Sequence, residues 1–280
     1  MDHAGCIGLL DLEIPIICTP HTAAILKAIQ DSGRTELPNQ IAYAMPREPL
    51  QSDGRVLKSP SWKKIPFQSR RFLLTSPPTS ALQEFWREPS GARELQTQSL
   101  EMAESTPIAF KFWEVDLSIY GAAAFGFEVE EGWVIYTGDF RVHGKRRGET
   151  EKFVRDAAQL DVVALIIEGT RADMEASEES EEEVFKNCLA VVEKEKNLVI
   201  ADFQPRHVER LETFLKIAKE CKRSLVITTR DAYLLEAVKS VDGVDRTKEV
   251  LVYKELKEVK NKWEEKTLAR FENQLVDPAE

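Results

Sequence analysis

The chain has 280 residues, 42% of them hydrophobic and 31% charged, with a formal net charge of −10. That length supports one sizeable core, or one domain with part of a second, and the balance is that of a soluble globular protein. The acidic excess argues against a non-specific nucleic-acid binder, which carries a basic face, although "RRFLL" at 70–74 and "RVHGKRRGE" at 141–149 are local basic stretches.

No run reaches the length of a membrane span, and the N-terminus lacks a basic-then-apolar signal pattern. Cys6, Cys18, Cys188 and Cys221 are scattered with no CxxC pair, the pattern of reduced, packed cysteines in a cytoplasmic protein. Histidine is scarce, at four residues: His3, His21, His143 and His207.

In chain order, "IPIICT" reads as a short strand. The helix after it has Thr19 as its cap, Pro20 in its first turn, and Gly33 at its close. Residues 34 to 107 are polar and punctuated by proline, so short strands with one helix near "SALQEFWRE" are expected. "IAFKFWEVD" alternates as a strand, and "GAAAFGFEVEEG" and "WVIYTG" make two more around a turn at Glu131 and Gly132. A helix over 149–159 leads to "VVALIIE", which reads as a buried strand. The acidic run "EASEESEEE" suits the N-terminal end of a helix, whose free N–H groups favour negative charge, and Val184, Cys188 and Val191 share one face of it. "NLVIADF", a helix over 206–220, "SLVITT" and a helix capped by Asp231 follow as strand–helix–strand–helix, the order of a parallel sheet. The charged C-terminal stretch reads as helical, with Leu256, Val259 and Trp263 as its apolar stripe.

Chemistry-bearing residues gather at strand ends. Asp139 follows "VIYTG", Glu168 follows "VVALII", and Asp2 with His3 stands in the opening loop. Strand ends hold the backbone while the loop leaves side chains open to a ligand. Gly138 beside Asp139 lets a ligand approach the main chain closely. An acidic residue at such a place is more often a solvated cap, but Asp2, His3 and Asp139 together offer mixed nitrogen and oxygen donors of the kind zinc, manganese or iron take. Arg141, Arg171 and Arg206 can grip phosphate with a guanidinium fork, and for each the alternative is an ordinary ion pair. A nucleophile elbow, a P-loop and a dinucleotide fingerprint are absent.

"DHAGCIGLLDLEIPIICTP", "VDLSIYGAAAFGFEVEEGWVIYTGDFRVHG" and "LIIEGTRAD" together resemble the metallo-beta-lactamase fold, in the β-CASP branch of ribonuclease J-like RNA-processing proteins. "ADFQPRHVERLETFLKIAKECKRSLVITTRDAYLLEAV" is similar to the opening of the inserted β-CASP domain. The resemblance implies an α/β fold: an incomplete αββα sandwich over 1–175, then the beginning of a parallel α/β domain over 176–280. It also implies a metal-dependent hydrolase acting on RNA or another phosphodiester.

Matched residue by residue, Asp2 and His3 correspond to the close of the family's His-x-His-x-Asp-His motif. Asp139 corresponds to the metal-bridging aspartate and Glu168 to the first acidic motif of the branch. The resemblance thus implies Asp2 and Glu168 as catalytic, Asp2, His3 and Asp139 as metal ligands, and Ser118, Arg141 and His143 as substrate contacts. Leu117 stands where the family carries a histidine. The motif reads as cut from the left, and the final half of the domain as missing from the right.

Two metals about 3.5–4 Å apart activate water and clamp phosphate oxygens in this kind of hydrolysis. With the first site's histidines missing, the expectation is at most one weakly held zinc or manganese ion and an impaired or inactive hydrolase. The alternative is a non-catalytic RNA- or protein-binding remnant, or a fragment of a split or decayed gene.

Overall fold

The structure is a computed structural model, and it describes residues 4–33, 39–45, 66–104, 106–170, 180–204, 206–256 and 260–277. Over them the fold is mixed α/β, with seven helices and four small sheets. In chain order come β1 (Ile16–Cys18), α1 (Pro20–Ser32), β2 (Tyr43–Ala44), β3 (Phe67–Ser69), β4 (Phe72–Leu74) and α2 (Ser80–Arg87). Then come β5 (Leu95–Gln96), β6 (Glu101–Met102), β7 (Phe110–Glu114), β8 (Ala123–Val129), β9 (Gly132–Tyr136) and α3 (Arg147–Ala157). The remainder is β10 (Val162–Ile166), α4 (Glu181–Lys194), α5 (Val208–Glu220), β11 (Leu225–Thr228), α6 (Thr229–Asp242), β12 (Val250–Tyr253), α7 (Lys262–Arg270) and β13 (Leu275–Val276). No helix among the described residues is long and apolar enough to cross a membrane. All four cysteines are free, and burial pushes the Cys18 thiol up to about 12.

The chain forms two compact units: one of 1–102, 226–247 and 251–280, the other of 103–225 and 248–250. The expected boundary at 175/176 lies outside the described residues.

In the first unit, α1 packs against α6, which also meets α2 and α7. Thr19 starts α1 as the sequence implies, its hydroxyl accepting from the Thr22 N–H at 3.2 Å. Alanines 23, 24 and 28 leave room for close helix packing, and all are buried. Beside these helices, β1 and β6 flank β4 in parallel, and β3 pairs with β2 antiparallel and with β5 parallel. The α6 cap differs from expectation. Thr228 caps the helix and Asp231 reaches back to the Thr228 N–H at 3.1 Å, completing a capping box; an aspartate three residues in satisfies the same free N–H groups from inside the first turn. The expected C-terminal stripe also fails to form. Trp263 is buried on α7, Leu256 lies outside that helix and is exposed, and Val259 is outside the described residues.

The second unit is built on one sheet in the order β10-β9-β8-β7. The β8–β9 turn falls where the sequence puts it, with Gly132 at φ +142°. Helix α3 covers one face, where Trp113, Val115, Ala124, Ile135 and Phe153 form the core. The rings of Trp113 and Phe153 lie 5.5 Å apart. Two segments differ from the sequence expectation. Strand β10 is exposed along its whole length rather than buried, since it is the outermost strand of its sheet. "NLVIADF" forms no strand, with Leu198 83% and Ile200 84% exposed; an apolar run becomes a strand only where a neighbour completes its ladder.

Candidate functional site

Strand direction gathers three acidic residues at one rim of the second unit. Because β7 and β9 both run antiparallel to β8, and β10 runs parallel to β9, the C-terminal ends of β7, β9 and β10 share that rim. Asp116 follows β7, Asp139 follows β9 and Glu168 follows β10. Gly138 turns the chain out of β9 at φ +58°, a left-handed conformation that L side chains rarely adopt. The Thr137 N–H still donates to the Ile166 carbonyl at 3.0 Å, so the β9–β10 ladder persists to the rim. One residue past Asp139, the Phe140 N–H donates to Glu168 Oε1 at 3.2 Å. That bond ties the Asp139 loop to the end of β10.

Arg141 organises the same loop. Its Nε donates to Asp116 Oδ1 at 3.3 Å, its Nη1 to Glu181 Oε1 at 3.2 Å, and its Nη2 to Glu209 Oε2. Asp116 is fully buried, and its Oδ2 also accepts from the Gly144 N–H at 2.8 Å. A Cβ at Gly144 would collide with the Arg141 guanidinium, so glycine there makes room for the fork. The backbone closes around the group, with the Arg141 N–H donating to the Asp116 carbonyl at 2.8 Å and the Asp116 N–H to Thr150 Oγ1 at 2.8 Å.

The two helices beyond the loop join through their N-terminal ends. Glu181, at the start of α4, also takes Nε and Nη2 of Arg210 at 3.2 and 3.0 Å. Burial alone would raise the Glu181 carboxyl; the Arg210 hydrogen bonds, with the charges of Arg210, His207 and Arg141, hold it below the usual range. His207 caps α5 by accepting the Arg210 N–H at Nδ1, 3.1 Å away. Its Nε2 lies 3.6 Å from Glu181 Oε1. Burial lowers its pKa below the ordinary histidine value, and Glu181 only partly opposes this.

The structure therefore brings together Asp139 and Glu168 of the residues read from sequence, and sets Arg141 in the same loop. Arg141 takes the ion-pair alternative, with its guanidinium held by three carboxylates. His143 is exposed, and its carbonyl accepts from the Glu181 N–H at 3.5 Å. Leu117 and Ser118 are half-buried in the loop after β7. Asp2, His3 and Arg171 lie outside the described residues. Asp116, Glu181 and Glu209 carry the site's charge without a clear sequence signal: Glu181 and Glu209 stand at helix starts, where an acidic residue reads as a dipole partner. The faint signal was "EVD", a strand closing on an aspartate.

Among the described residues no group of three or more His, Cys, Asp or Glu side chains is placed to hold a metal ion. Asp116 and Glu168 spend lone pairs on N–H groups, and Leu117 offers none. The described donors alone do not fit a metal centre.

The first unit holds a separate open cavity of about 330 Å³, lined in part by Asp31, Gln40, Tyr43, Ser90 and Arg93. Beneath it the buried Lys27 Nζ lies 2.5 Å from Asp31 Oδ2. The Asp31 carboxylate also accepts the hydroxyls of Tyr43 and Tyr233, at 2.7 and 2.6 Å. Burial first, and then the Asp31 charge, pushes both phenols up. The network is self-satisfied: a buried lysine paired within its own helix and tied to the Glu88 carbonyl at 2.8 Å.

No family model matches the chain, and no curated protein matches it. Among solved structures it is similar to the crystal structure of a protein of unknown function from Enterococcus faecalis V583. The two are 19% identical with a TM-score of 0.56, over 98% of this chain and 52% of the other. The chain thus spans about half the length of that protein, and the likeness is one of fold.

Proposed function

We propose that the chain is related to metal-dependent phosphodiester hydrolases of the RNA-processing, metallo-beta-lactamase kind, and that it is impaired as a catalyst. One observation carries the reading: parallel strands β9 and β10 end side by side, and the loop bearing Asp139 is bonded to Glu168 through the Phe140 N–H. Two acidic strand ends fixed by one sheet form a rigid base on which charge-stabilising chemistry can be mounted. The impairment follows from the residues around them. Leu117 has no lone pair, and the Arg141 fork is neutralised by carboxylates, so it is not free to grip a phosphate. In this reading RNA or another phosphodiester is the substrate class, Ser118 and His143 line its approach, and zinc or manganese is held weakly with Asp139 as a donor.

Calorimetry and a hydrolysis assay test it together. The purified chain is titrated with zinc and manganese, then incubated with labelled RNA and a phosphodiester model substrate, with and without chelator. At most one weakly held ion is expected, with binding lost in Asp139→Ala and no chelator-sensitive hydrolysis. Leu117→His alone is expected to leave the chain inactive. Two tightly held ions per chain, or chelator-sensitive cleavage lost in Asp139→Ala, overturns the impairment; metal binding indifferent to Asp139→Ala overturns the site.

The non-catalytic alternative, a protein-binding role, is favoured by a different observation: Phe127, Tyr136 and Ile166, on the face of the β7–β10 sheet opposite the α3 core, are exposed.

A further inference from the structure

The network under the first unit's cavity fixes which of the lining groups can donate a hydrogen bond. Asp31, paired with Lys27, is an acceptor only, so the Tyr43 hydroxyl, 2.7 Å from Asp31 Oδ1, gives its single proton there. Burial pushes the Tyr43 phenol up, which keeps that proton in place. The hydroxyls of Tyr43 and Ser90 lie 2.9 Å apart. With the Tyr43 proton spent, Ser90 is the donor to the phenol oxygen. The Ser90 hydroxyl, in the half-buried lining, then keeps lone pairs but no free proton. Toward a ligand it can only accept.

Arg93 supplies the opposite chemistry. Its guanidinium lies 4.6 Å from the centre of the Phe67 ring, a contact that holds the group without using its N–H donors. It has no hydrogen bond or ion pair among the described residues. Asp31 and Arg93 are the charged residues of the lining, and Lys27 offsets Asp31, so the cavity keeps one uncompensated positive charge. The walls around it are aromatic: the rings of Phe67 and Tyr43 lie 5.1 Å apart, and Trp263 joins them. Gly91 lines the same space outside the left-handed region, and a Cβ there would meet nothing within 4 Å. Neither a turn nor a close neighbour requires that glycine; its effect is to leave the space open. At about 330 Å³ the cavity has the size of a small-molecule pocket.

We propose that this cavity binds a small aromatic acid that carries a hydroxyl or amino donor on its ring. Arg93 takes the carboxylate, the ring lies among Phe67, Tyr43 and Trp263, and the donor reaches the Ser90 hydroxyl oxygen. Each part of the ligand answers one feature of the lining. The acid group meets the uncompensated guanidinium, and the flat ring meets aromatic walls, against which ring pairs gain beyond the area they bury. The donor is needed because Ser90 has no proton left to give. The inference is independent of the hydrolase reading, because it uses no residue of the acidic rim.

Titration calorimetry on the full 280-residue chain tests it. The probes are 4-hydroxybenzoate and 4-aminobenzoate; benzoate lacks the donor, phenol lacks the acid, and cyclohexanecarboxylate lacks the flat ring. Expected is saturable binding of one probe molecule per chain, with each control weaker by about tenfold or more, the scale of one lost hydrogen bond. Arg93→Ala should weaken both probes by a similar factor, and Ser90→Ala should bring 4-hydroxybenzoate down to the level of benzoate. Gly91→Leu should abolish binding by filling the space, with circular dichroism and melting temperature unchanged. No saturable binding of either probe in the millimolar range, equal binding of probes and controls, or binding indifferent to Arg93→Ala and Gly91→Leu overturns the proposal. If Gly91→Leu fails to fold, Arg93→Ala and the controls on the unsubstituted chain still decide.

Discussion

Arg141 shows how one side chain can change meaning between sequence and structure. In "GDFRVHG" it reads as a phosphate fork or an ion pair, and proximity in three dimensions selects the pair. Three carboxylates from separate segments surround it, and they would repel one another without it. Arg141→Ala is therefore expected to destabilise the fold by about 3–5 kcal/mol, the cost of leaving buried charge unpaired, as read by chemical denaturation. Arg141→Lys should recover only part, since an ammonium cannot reach three acceptors at once. His207 adds a pH dependence. Its folded pKa is depressed, so the unfolded chain binds more protons around the ordinary histidine value. The contribution of His207 is complete above about pH 6.5 and is lost as pH falls from there through the folded pKa. Glu181, also depressed, adds a loss at lower pH, below its ordinary value of 4.5. Thermal melts should decline from neutral pH downward. His207→Asn, which keeps a capping side chain, should flatten the first part of that decline. An unchanged slope would remove His207 from the account.

Among the elements, those with their own local signals follow the sequence closely. Helices α1 and α2 start at threonine caps, α3 and α5 run within two residues of expectation, and β8 and β9 meet at Gly132. Gly132 is needed there for two reasons: its φ is +142°, and a Cβ would press on the Asp161 carbonyl and stand 3.0 Å from the Val163 side chain. Gly132→Ala should cost about 1–3 kcal/mol and loosen the β9–β10 pairing, measurable as faster amide exchange in 133–136. Elements that depend on a neighbour depart from what the sequence implies. Strand β10 has the composition of a buried strand but sits at a bare edge, and "NLVIADF" has the alternation of a strand but no ladder to join. Composition reports what a segment prefers to touch; it does not supply the partner.

For the whole molecule, the two units predict unequal fragments. Residues 103–225 hold nearly all of the second unit, including its sheet, α3 and the Arg141 network. That segment should fold alone, with near-native circular dichroism and a cooperative melt. Residues 1–102 lack α6, against which α1 packs, and should remain largely unfolded; a cooperative transition in that piece would contradict the division. The sequence by itself determined the α/β class, most caps and turns, and the placing of acidic residues at strand ends, because these depend on residues within a few positions of one another. Tertiary structure alone decided which acidic residues meet Arg141, which face of the sheet α3 covers, and which is left bare. Asp116, Glu181 and Glu209 are separated by up to 93 positions, and only the folded chain brings their charges within reach of one guanidinium.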